Sequence, residues 1–104
     1  MIDMQVRTEQ GAIVARGSRG IEWSQELIDL DRSAYPMLGG LCAFLDTMFN
    51  LRQLPSLIDE LDRLPDGFAL DDESRTEIRR LCEVVEMESH RYLWFLVRQP
   101  PLVV

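Results

Sequence analysis

From Tyr92 to Val97 every side chain is apolar or aromatic, and an arginine stands at each end. A strand with one face in water alternates apolar with polar residues, and this stretch does not. It is too short to cross a bilayer and is rich in the residue types that strands favour. The pattern predicts an interior strand. Leu93, Phe95 and Val97 point to one side and Tyr92, Trp94 and Leu96 to the other, so each set needs something to pack on.

A different period opens the chain. Ile2, Met4 and Val6 alternate with Asp3, Gln5 and Arg7, as in a half-buried strand. Gln10-Gly11 suits a tight turn, and Ala12 to Ala15 gives a second short strand ended by Gly17-Ser18-Arg19-Gly20. The resulting hairpin supplies an edge for Tyr92–Val97, because about three strands are needed for a stable sheet. Between Ile21 and Tyr35 the pattern fits two structures. One is a turn of helix capped by Ser24, with Trp23, Leu27, Ile28 and Leu30 inward; the other is a loop that carries Trp23 into the core. Gly39-Gly40 weakens any helix there, and Leu41 to Leu45 is apolar throughout, which predicts burial.

Asp46-Thr47 offers a capping oxygen before Met48 to Gln53. Leu54, Leu57, Ile58, Leu61 and Leu64 then recur at helical spacing, with Pro55 in the first turn and Pro65-Asp66-Gly67 as the stop. A single kinked helix from Thr47 fits the same residues. Asp71 or Asp72 can cap a further helix, and Ser74 with Glu77 makes a capping box. Its apolar stripe is Ile78, Leu81, Cys82 and Val85, which leaves Arg75, Arg79, Arg80, Glu83 and Glu86 for solvent and an end near Ser89. The order describes one α+β domain over residues 1–104. A small antiparallel sheet, the N-terminal hairpin plus the C-terminal strand, packs against two or more helices.

Charge narrows the function classes. The 104 residues carry 18 acidic side chains against 11 basic ones, all arginine, for a net charge of -7. That balance argues against a nucleic-acid partner and favours attraction to a basic protein surface. Cys42 and Cys82, forty residues apart in apolar settings, fit two reduced core thiols. No signal peptide or bilayer-spanning stretch is visible, so the cytoplasm is the expected compartment and no membrane partner is expected.

Catalytic chemistry has little to stand on. His90, the one histidine, has no nucleophile motif around it and fits a helix C-terminus better. Two distant cysteines and one histidine do not make a zinc site, and Asp71-Asp72-Glu73 lacks the glycine and spacing of a calcium loop. No catalytic residue, metal or cofactor is expected. Trp94 and Phe95 on a strand resemble a base-stacking platform, but packing is the expected use without basic residues around them. What stands out is acidity: Asp59, Glu60, Asp62, Asp66, Asp71, Asp72 and Glu73, opposed within that stretch only by Arg63. Such a run is either solvated surface or a partner-binding patch that speeds association with a basic protein. Glu22, Glu26, Asp29 and Asp31 form the other acidic cluster.

Two segments carry a resemblance. Asp46-Thr47-Met48-Phe49-Asn50 with Gln53, and His90-x-Tyr92-Leu93-x-Phe95, resemble a family of small acidic bacterial proteins with a D-T-x-F-N-x-x-Q segment and an H-x-Y-L-x-F closing strand. Gly39-Gly40-Leu41-Cys42 departs from that family's pattern. In size and acidity the chain is similar to immunity proteins that neutralise a toxin. The resemblance implies a non-catalytic inhibitor that occludes a toxin's active site with an acidic surface. The alternative is a small structural or regulatory module, either a homodimer or an accessory subunit.

Overall fold

A computed structural model of the chain describes residues 1–41 and 44–98. Its sheet comprises β1 (Ile2–Thr8), β2 (Ile13–Arg16), β3 (Thr47–Phe49) and β4 (Arg91–Val97), in the order β2-β1-β4-β3. The helices are a single turn α1 (Gln25–Ile28), α2 (Leu54–Arg63) and α3 (Asp72–Glu86), with a 3-10 turn at Leu38–Gly40. All strand pairs are antiparallel, and the architecture is α+β.

The unbroken apolar run of β4 has its cause in this order. It lies inside the sheet, paired with β1 from Ile2↔Val97 to Thr8↔Arg91 and with β3 from Thr47↔Phe95 to Phe49↔Leu93. Leu93 and Phe95 are fully buried beneath the helices, and the Phe49 ring meets Phe95 edge-on at 5.6 Å. Ile2, Met4 and Val6 of β1 join the same core, together with Leu54, Leu57, Leu61 and Leu64 of α2 and the whole predicted stripe of α3. Tyr92, Trp94 and Leu96 lie on the opposite face, half-buried.

The hairpin forms at the predicted place. Gly11 takes a φ of +89°, and the turn is closed by the Thr8 and Gly11 amides. A bulge between Val6 and Arg7 shifts β2 to Ile13–Arg16, one residue beyond Ala12–Ala15. Ser24 caps α1 by accepting from the Leu27 amide, so a single helical turn forms with Leu27 buried; Trp23 precedes the cap and packs on the core, as the loop alternative had it, and Ile28 is exposed.

Several expectations are corrected. Thr47 to Phe49 is an edge strand, and Asp46 accepts from the Val97 amide at 2.9 Å, holding β4 and capping no helix. Phe44 and Leu45 are exposed, although Leu41 is buried; Cys42 and Ala43 lie outside the described residues. Ser74 and Glu77 form no capping box, because Asp71 is the N-cap and accepts from the Ser74 amide at 2.8 Å. The helix stops at Glu86, and His90 does not cap it. Instead His90 occupies the left-handed region at φ +63° and turns the chain into β4.

Arg75, assigned to the solvated face of α3, is only 8% exposed. Its guanidinium donates to the carbonyls of Leu64, Pro65, Phe68 and Leu70 at 2.6–3.1 Å. Those carbonyls end α2 and line the loop to α3, so one side chain satisfies backbone acceptors that no helix or strand would pair.

Candidate functional site: the acidic surface

The acids between Asp59 and Glu73 do not form one uniform patch. Asp59 and Asp62 project from the solvent side of α2, because its opposite side carries the leucine stripe. Asp66 sits in the turn after α2, and Asp71, Asp72 and Glu73 open α3, where negative charge complements the helix dipole. All six are exposed.

Glu60 is the exception and the correction. It is 1% exposed, and its carboxylate accepts from the Met37 and Leu38 amides at 2.9–3.1 Å. It therefore anchors the 3-10 turn to α2 from inside and has no surface to offer a partner. The helical period put it beside exposed Asp59; its amide donors lie more than twenty positions upstream in an irregular segment.

Compensation is also greater than the local sequence suggests. Arg63 pairs with Asp59 and Arg79 with Asp62 at 2.9 and 2.6 Å. Arg19, carried in by the loop after β2, bridges Asp71 and Glu73. Asp66 and Asp72 have no ion-pair partner among the described residues. The Ser74 hydroxyl and amide, and to a lesser degree Arg19, hold the Asp71 carboxyl below its ordinary range. Asp71 is thus ionised down to acidic pH.

Beside this surface lies a cleft of about 220 Å³. Glu22, Glu26 and Asp71 edge it, Arg19 closes one end, and Ile21, Ala69 and Leu70 supply apolar wall. The fold thereby brings Glu22 and Glu26 of one acidic cluster beside Asp71 of the other. Glu26 accepts from the Ala69 amide and Ser24 donates to the Ala69 carbonyl, which ties α1 to the loop before α3. Asp29 and Asp31 are turned to local partners, the Gln25 side chain and the Ser33 amide. Sequence spacing alone could not have joined the clusters, since the connection is made through tertiary contacts.

No protein-family model, curated protein or solved structure matches this chain.

The two segments that carry the family resemblance meet in space, since β3 pairs with β4. Asp46 holds the Val97 amide, Phe49 packs on Phe95, and Asn50 and Gln53 exchange side chain-to-amide bonds at 2.9 and 3.1 Å ahead of α2. Glu9 lies 3.4 Å from His90 and accepts from the Tyr92 hydroxyl at 3.1 Å. These residues therefore build the sheet and its exits. Burial pushes the Cys82 thiol up to about 12, so it behaves as a core side chain. Among the described residues no helix is long and apolar enough to cross a membrane, and no group of acids, His and Cys could hold a metal ion.

Proposed function

We propose that this protein binds a basic protein partner through its acidic helical surface, as an inhibitor of the immunity type that covers a toxin's active-site cleft. The observation that carries this reading is the convergence of Glu22 and Glu26 with Asp71 at one cleft, where Arg19, paired with Asp71 and Glu73, is the one basic residue in the lining. A cleft with carboxylates at its rim and Ile21 and Leu70 in its wall matches an arginine or lysine of the partner. The aliphatic stem would lie on the wall and the cationic head among the acids. The unpaired carboxylates at Asp66 and Asp72 add a field that steers a basic partner toward the same face. Glu60 takes no part.

The test is kinetic. Once a partner is captured from the source cell, association is measured for the parent and for a triple variant, Asp62→Lys, Asp66→Lys and Asp72→Lys. The association rate should fall roughly ten-fold or more at low salt and less at high salt, because exposed charges act over a Debye length of about 8 Å at physiological ionic strength. Folding stability should change by no more than about 1 kcal/mol, since these are surface charges. Parental association rates at both salt concentrations would remove the acidic surface from the interface.

A further inference from the structure

The opposite side of the molecule has different chemistry. Register puts Asp3, Gln5 and Arg7 of β1, Ile13 and Arg16 of β2, Met48 of β3 and Tyr92, Trp94 and Leu96 of β4 on one outward face. Of the 11 arginines and 18 acidic residues, this face takes Arg7 and Arg16 against Asp3, already paired with Arg98, and Glu9, which accepts from the Tyr92 hydroxyl at the far end of β4. The rest of the surface is strongly acidic, so a small positive excess makes this face the exception on a chain of charge -7.

Its β4–β3 half is an apolar strip. Met48 lies directly across from Trp94, Leu96 follows on the same side, and Met48 is 44% exposed. The Arg7 guanidinium sits 5.3 Å from the Trp94 ring centroid while donating to the Gln5 side chain at 2.8 Å, so ring and cation are held together. Beside them Arg16, Arg98 and Asp3 line a cleft of about 260 Å³. The Arg16 guanidinium, exposed, has no partner among the described residues. The strip alone does not specify an occupant; its cationic border does.

We propose that the outer sheet face docks an acidic protein segment carrying one apolar anchor residue. The anchor lies on Met48, Trp94 and Leu96, and flanking carboxylates meet Arg16 and Arg7. A bidentate carboxylate contact suits an unpaired guanidinium, and an apolar residue among acids suits a strip bordered by cations. Each segregated face then has its own partner chemistry, basic on the helical side and acidic on the sheet side. This docking is independent of the acidic surface.

The probe is a fluorescein-labelled peptide of about ten residues, Glu-rich with one central Leu, titrated by anisotropy at physiological salt. The parent should bind it, and a counterpart with every Glu replaced by Gln should not bind. Arg16→Glu should weaken binding roughly ten-fold or more, and Met48→Asp should weaken it as well. Because Arg16 is exposed and its side chain unpartnered, that variant should keep the parental melting temperature. The triple-lysine variant of the helical surface should bind the peptide undiminished, which separates failure here from failure of the proposed function. The idea is overturned if the acidic peptide fails to bind, or binds Arg16→Glu as it binds the parent. It is equally overturned if a single-stranded oligothymidine of the same charge binds more tightly. Self-association of the parent that Met48→Asp abolishes would name a second copy as the occupant and overturn it too.

Discussion

Arg75→Met is expected to destabilise the fold by about 3–5 kcal/mol, because the Leu64 and Leu70 carbonyls lose their donor and the Pro65 and Phe68 carbonyls keep only their turn bonds from the Phe68 and Leu70 amides. Methionine fills similar space and keeps an apolar stem, so packing is largely preserved while four carbonyl partners are lost. Among the described residues no carboxylate pairs with Arg75; the carbonyl dipoles at the end of α2 stabilise its charge. Arg75→Lys should recover less than half of the loss, because an ammonium cannot fork across four oxygens. Urea melts check both variants. If Arg75→Met melts within about 1 kcal/mol of the parent, water replaces the guanidinium at little cost and the side chain does not hold the α2–α3 junction.

Phe95→Ala should cost a similar amount, about 3–5 kcal/mol, by a different route. Phe95 is 1% exposed and sits mid-strand between β1 and β3, so truncation removes buried area and leaves a cavity that two flanking strands prevent from collapsing. The Phe49 ring loses its edge-on partner at the same time. Guanidinium melts should show a lower midpoint with an unchanged slope, as expected when stability falls without change in the unfolded chain. A loss below about 1 kcal/mol would mean that β4 is not the centre of the core.

What could be seen in the sequence follows from how local each cause is. Residues of β4 reveal their burial directly, since both faces are covered or half-covered and no alternation survives. The stripes of α2 and α3 are legible for the same reason. Thr47 to Phe49 is not: three residues are too few to show a period, and Asp46 ahead of Thr47 resembles a helix cap although its carboxylate serves Val97. Glu60 and Arg75 are misplaced by any pattern argument, because a charged residue is buried only when partners arrive from elsewhere. Those partners are backbone amides at Met37 and Leu38 and backbone carbonyls in the α2–α3 loop, which carry no side-chain signature. Six of the seven acids expected at the surface are there. The meeting of one of them, Asp71, with Glu22 and Glu26 depends on where the loop after α2 leaves Ala69, at φ +66°.

The pairing of β1 with β4 also has a consequence in time. Residues Ile2 to Thr8 leave the ribosome before their central partners, Arg91 to Val97, which lie more than eighty positions later. Until then β1 has only β2 beside it, and a lone hairpin is marginal in water. Its apolar side chains Ile2, Met4 and Val6 stay uncovered over that interval. Closing so long a loop costs entropy before any contact repays it, so folding waits for β4 to emerge and then proceeds at the pace of a high-contact-order domain. Nascent chains stalled at Glu88 should therefore remain protease-sensitive, whereas chains from which β4 has emerged should not. A stalled chain that resists protease would show that the helices can close the core without β4.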